Sequence, residues 1–114
     1  MTKDCRALSP FVRQLPNEAT EFFRILNSTE SVFMKSGLVT LMAGEECESH
    51  NTDDREELII VLEGRGEIEA EGNGKKGISK GLVAYNPPHV QHNVRNTGDE
   101  PMRYIYVVSK AVLN

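Results

Sequence analysis

The chain of 114 residues has no tryptophan, two cysteines and three histidines, and its aromatic content is only 6%. Without tryptophan a ligand pocket lacks the indole platform common among sugar binders. No segment approaches the roughly 18 consecutive apolar residues of a membrane span. The opening MTKDCRALSPFVRQL contains no apolar run of signal-peptide length. A cytoplasmic protein with no membrane partner is expected. Basic residues number 13 against 17 acidic ones, for a net charge of -4, and no element gathers Lys or Arg. A phosphate-backbone binder needs such a patch, so nucleic acid is not expected as a partner. Cys5 and Cys47 are far apart and are expected to be unpaired thiols in a reducing compartment.

The length suits one domain, residues 1–114, with a core from about residue 10 to about residue 110. Its dominant signal is short β-branched and aromatic segments punctuated by Gly, Asn, Asp and Pro. The expected strands are Phe11 to Gln14, Phe22 to Leu26, Leu38 to Met42, Glu57 to Leu62, Gly66 to Ala70, Gly77 to Ile78, Leu82 to Tyr85, His92 to Asn96 and Met102 to Val108. Their connections are too short for crossover helices, so the fold class is all-β, an antiparallel sandwich or barrel. Asn73-Gly74 predicts a hairpin, and Gly64-Arg65-Gly66 a bulge or sharp bend. Asn17 with the following EATEFFRIL fits an N-capped helix or a strand from near Glu21; the β context favours the strand.

Glu57 to Leu62 is apolar on both faces after its first residue, as is the YIYVV run from Tyr104. A half-exposed strand would alternate, so both sides need cover. A second sheet or a second subunit would supply it, which predicts a homodimer.

The chemistry-bearing residues are His50, Glu57 and His92. Imidazole and carboxylate converging on one point make a metal site. His50 opens the segment HNTDDREE, Glu57 heads the next apolar strand, and His92 starts a third after Pro87-Pro88. If the His50 and Glu57 strands pair through the short Asp53-Asp54-Arg55 connection, their inward side chains share a cavity. A carboxylate at the head of a buried strand is costly unless paired or metal-bound. The acidic run Glu45-Glu46-Cys47-Glu48 and the Asp53-Asp54 pair lack EF-hand spacing and read as solvated loops.

These residues resemble the cupin family. Its first motif is Gly, five residues, His, one residue, His, three or four residues, Glu, six residues, Gly; Gly44, His50, Glu57 and Gly64 match, with Thr52 in place of the second His. The second is Gly, five residues, Pro, one residue, Gly, two residues, His, three residues, Asn; Gly81, Pro87, His92 and Asn96 match, with His89 replacing the Gly. The resemblance implies a double-stranded β-helix, a jelly-roll-like barrel. It also implies one divalent metal ion (Fe, Mn, Zn or Ni) held by His50, Glu57 and His92. Thr52 removes one ligand; its hydroxyl is expected either inward, near a metal-bound water, or as a plain strand residue. His89 is open to three readings: a ligand if the Pro-Pro turn aims it inward, a proton donor or substrate contact at the pocket mouth, or an inert exposed side chain.

Fold alone does not set chemistry. Three functions fit: a metal-dependent enzyme acting on a small organic acid or enol, with dioxygenase-, decarboxylase- or isomerase-like chemistry; a non-catalytic module binding a small sugar- or acid-like molecule; and a metal-free barrel contacting such a ligand directly. Nucleotide-sugar epimerases of related architecture bring aromatic stacking, which the low aromatic content disfavours here. No catalytic residue is assignable from the sequence.

Overall fold

The computed structural model describes residues 8–18 and 21–111. Nine strands follow one another: β1 (Phe23–Leu26), β2 (Met34–Leu41), β3 (His50–Asn51), β4 (Arg55–Glu63), β5 (Arg65–Ala70), β6 (Gly74–Ser79), β7 (Val83–Asn86), β8 (Gln91–Arg95) and β9 (Met102–Lys110). Every pairing is antiparallel. They form a five-stranded sheet in the order β1-β2-β9-β4-β7 and a four-stranded sheet in the order β3-β8-β5-β6. No helix occurs among the described residues, and none is long and apolar enough to cross a membrane.

Alternation sorts the side chains. On β4, Glu57, Ile59 and Val61 are buried, while Leu58 is 39% exposed. The inward set joins Leu41, Ile68, Ile78, Val94, Met102 and Tyr104 in one core between the sheets. The chain changes sheet at Gly64, between β4 and β5, where the β4–β9 register slips between Val61 and Glu63. This is the bend expected from Gly64-Arg65-Gly66. A Cβ on Gly64 would lie 2.6 Å from the Pro101 carbonyl oxygen, and its φ is 78°. A Cβ on Gly66 would collide with the Arg95 carbonyl. Glycine is therefore required sterically at both ends of this corner.

The β5–β6 hairpin is present, with a different turn from the one expected. Ala70 pairs with Gly74, the loop is residues 71–73, and the positive φ angles fall on Gly72 and Gly74 rather than on Asn73. Near Asn17 the strand reading holds: β1 begins at Phe23, and residues 19 and 20 lie outside the described residues.

Phe11 to Gln14 is not a strand. It is an extended arm held by side chains instead of a sheet ladder. Arg13 donates to the Ile25 carbonyl at 2.6 Å and pairs with Glu30 at 2.8 Å. Arg103, buried on β9, donates to the Pro16 carbonyl and, at 3.0 Å, to Glu63. Arg103 lies opposite Thr40, so it points away from the core face that its neighbours Met102 and Tyr104 share.

Candidate metal centre

The cluster is assembled across the barrel. His50 on β3 lies directly opposite His92 on β8, so both rings project from one face, with centroids 4.1 Å apart. Glu57 comes from β4 in the facing sheet. The expected pairing of the His50 and Glu57 strands does not occur: β3 pairs with β8, and β4 with β7 and β9. The Asp53-Asp54 link crosses between sheets, and the cavity lies between them. One nitrogen from each histidine and a Glu57 oxygen all lie within 4.8 Å of one another.

The orientation of each group has a local cause. His50 Nδ1 lies 3.1 Å from the Glu48 carbonyl, and His92 Nδ1 lies 3.2 Å from the Val90 carbonyl. Each ring thus has a backbone acceptor two residues before it, which fixes a proton on Nδ1 and leaves Nε2 for another partner. For His92 that partner is Glu57 Oε1, 2.9 Å from Nε2. The approach is not aligned as a hydrogen bond, so a fully buried nitrogen faces a carboxylate with no directed partner. Asn86 on β7 donates to the same Glu57 oxygen at 3.1 Å and holds the carboxylate in place. Burial pulls the His92 pKa down, but the Glu57 carboxylate and the Val90 carbonyl together outweigh it, and the net shift is upward.

Both departures from the motif are accounted for. Thr52 is buried, but its hydroxyl donates to the Pro87 carbonyl at 2.7 Å and accepts from the Val90 amide at 3.0 Å. It braces the turn that presents His92, so its proton and one lone pair are already committed. His89 is exposed, lies outside the cluster and adopts a φ of 60°. It stands where the motif places glycine, and it shares its left-handed backbone with the motif glycines Gly44, Gly64 and Gly81. That conformation explains the glycine; of the three readings of His89, the exposed one is observed.

The cluster forms one wall of a cavity of about 570 Å³. Val39, Ile59 and Val94 give it apolar walls, and Tyr104 and Tyr106 add phenols from one face of β9. Burial, reinforced by the neighbouring Cys47 thiol, pushes the Tyr104 phenol far up, so it stays protonated. Cys47 is a free thiol; Cys5 lies outside the described residues. Lys35, Asp53, Asp54 and Arg55 also line this space. The aspartates are thus part of the cavity edge, not merely a solvated loop. Sequence reasoning missed Lys35, Arg55 and Tyr104; the alternation of YIYVV places Tyr104 and Tyr106 together, but nothing marked the two cations.

A family profile described as a cupin domain matches residues 37–108. The chain belongs to the cupin family. Among curated relatives, "Polyketide synthase CurC" of Streptomyces cyaneus is 32% identical over 74 residues, 64% of this chain and 47% of that protein. "Glucose-6-phosphate isomerase" of Thermococcus onnurineus is 36% identical over 62 residues, 51% of this chain and 33% of that protein. This cupin therefore spans less than half the length of either. An RmlC-like cupin of Methanocaldococcus jannaschii with a double-stranded β-helix fold superposes with a TM-score of 0.75 at 14% identity, covering 90% of this chain and 91% of that one. At that identity the likeness speaks for fold alone.

Proposed function

We propose that this cupin holds one divalent metal ion through His50, Glu57 and His92 and binds a small organic acid or enol against it. The observation that carries the reading is the convergence of one nitrogen from each histidine and an oxygen of the buried Glu57 within 4.8 Å of one another, with each Nδ1 beside a backbone carbonyl. Two histidines and one carboxylate suit Fe, Mn, Zn or Ni, and three protein ligands leave positions open. When bound, such an ion supplies Lewis acidity and a template for substrate oxygens. The chain's own groups do the rest. Asn86 fixes Glu57, apolar walls limit water, and the protonated Tyr104 offers a donor inside the cavity. The isomerase relative, named for a phosphorylated sugar, is consistent with a polar, oxygen-rich ligand. Elemental analysis of untagged protein purified without chelator is expected to find about one ion per chain. Finding none, even after titration with these metals, would abandon the reading.

One observation favours a second reading, a non-catalytic binding module. Thr52 stands where a fourth ligand belongs, and its hydroxyl is engaged in the turn. Iron in the elemental analysis would direct assays to oxygen-dependent turnover, manganese or nickel to decarboxylation, and zinc to isomerisation. Metal binding without turnover in any of them would favour the module.

We also propose a cytoplasmic homodimer formed through the outer face of the five-stranded sheet. Leu58 and Ile60 on β4, Val83 and Tyr85 on β7, and Ile105 and Val107 on β9 lie in two cross-strand rows on that face. Val83 is 62% exposed and Tyr85 57%, so this chain leaves the outer side of its doubly apolar strands open. Light scattering at micromolar concentration is expected to give a dimer, and Leu58→Asp a folded monomer. A monomeric unsubstituted chain would rule this face out as an interface.

A further inference from the structure

Two cations, Lys35 and Arg55, line one edge of the cavity, and a third, Lys110, lines the recess beside it, all without ion-paired carboxylates. Lys35 on β2 and Glu57 on β4 are both opposite Val108 of β9, so the three share one row across the sheet. Strand spacing puts the Lys35 and Glu57 backbones about 10 Å apart, facing the same interior. Arg55 and Lys110 form the next row on that face, about 7 Å toward the open end. Lys35 is half-buried. Among the described residues none of the three cations forms an ion pair; the same is true of Arg24, Arg65, Lys76 and Lys80, but Lys35 and Arg55 line the cavity and those four do not. Lys35, Asp54 and Arg55 border both the main cavity and an adjoining recess of about 280 Å³, to which Lys110 also contributes. A half-buried lysine beside an unpaired arginine has lost solvent without a carboxylate in ion-pair contact.

We propose that Lys35 and Arg55 form an anion subsite that takes a carboxylate or phosphate group of the ligand. The ligand's opposite end then lies against the His50–Glu57–His92 cluster. This rests on the reading of that cluster as the ligand-binding centre and specifies which ligands it takes: small molecules carrying an anionic group a few bonds from a metal-seeking oxygen. Arg55 supplies a planar fork and Lys35 a point charge. Asp53 and Asp54 face the same cavity and oppose the anion, so the subsite is the β2–β4 side of the opening rather than its whole rim.

The test is calorimetric titration with succinate and with inorganic phosphate, on protein as purified and after metal removal by chelator. One of the two probes is expected to bind in both states, and the tighter one names the anion. Lys35→Met and Arg55→Met are each expected to weaken binding at least roughly fivefold while metal content stays unchanged. Lys76→Met removes an exposed cation from β6 on the other sheet and is expected to change nothing. The subsite is overturned if neither probe binds, if the two methionine variants bind like the parent, or if Lys76→Met weakens binding equally. Should a methionine variant fail to fold, Asp54→Lys gives the reading instead: severalfold tighter binding supports the subsite, and unchanged or weaker binding overturns it. Failure of the metal reading looks different. Protein that takes up no metal yet loses succinate or phosphate in Lys35→Met refutes the metal centre and keeps the subsite.

Discussion

Replacing His92 with alanine is expected both to abolish metal uptake and to destabilise the metal-free barrel, whereas His50→Ala should abolish uptake alone. Both histidines have Nδ1 beside a backbone carbonyl, and each offers one nitrogen to the cluster with Glu57. Disturbing only the partners around a metal ligand typically costs 10–100-fold in affinity, so losing one of three ligands is expected to cost roughly 100-fold or more. Their burial differs. His50 is exposed, while His92 and Glu57 are both buried and lie 2.9 Å apart. Without His92, the Glu57 carboxylate keeps, among the described residues, the Asn86 amide as its hydrogen-bond donor, with His50 nearby but exposed. Breaking a buried pair from one side costs about 3 kcal/mol or more. Below about pH 6.5, where the His92 contribution is fully present, the metal-free His92→Ala protein is therefore expected to melt roughly 10 °C lower, with His50→Ala close to the parent. Elemental analysis and thermal denaturation of the two variants check both halves. Full metal occupancy in both would refute the site, and equal melting points would refute the buried pairing.

The second large effect is that pH is expected to push metal-free and metal-loaded protein in opposite directions. The His92 pKa is raised in the folded chain, since burial lowers it but Glu57 and the Val90 carbonyl more than compensate. In the unfolded chain it titrates at about 6.5. A group whose folded pKa is raised contributes stability that is fully present below the unfolded value and is lost as pH rises through the folded one. The metal-free barrel accordingly loses this contribution from about pH 6.5 upward. Metal needs the Nε2 lone pair that the proton occupies, so uptake is weak in acid and strengthens with rising pH. At a concentration 100 times the dissociation constant, a ligand adds about 2.7 kcal/mol. The melting-point gap between loaded and metal-free protein is thus expected to widen from pH 5 to pH 8. In the acid part of that range, calorimetry in buffers of different ionisation enthalpy should show proton release on binding. A gap that narrowed with pH would contradict the assignment of Nε2 as a ligand atom.

Much of the site was legible because motif spacing constrains where side chains fall along the chain. His50, Glu57 and His92 meet as that spacing implied, and β4 to β9 lie close to the segments marked by β-branched and aromatic residues. The route by which the three residues meet was not legible. Alternation tells which side chains of a strand share a face, but not which strand lies alongside or which sheet lies opposite. The residues linking His50 to Glu57 are short enough for a pairing connection, yet they carry the chain from one sheet to the other. The arm at residues 11–14 was misread for a related reason. Its apolar residues fit a strand, but Arg13 and Arg103 hold it through carbonyls and carboxylates instead of a ladder.

By itself the sequence determined the β class and the corner at Gly64, because these depend on local sterics and on alternation along each strand; His50, Glu57 and His92 were nominated through motif spacing that resembles the cupin family. Tertiary structure alone decided that Glu57 faces the histidines from the opposite sheet and that the Thr52 hydroxyl braces the His92 turn. It also decided that His89 points to solvent and that Lys35 and Arg55 reach the cavity edge unpaired. Each of these is set by contacts between residues distant in the chain, whose relative placement exists only once the two sheets have packed.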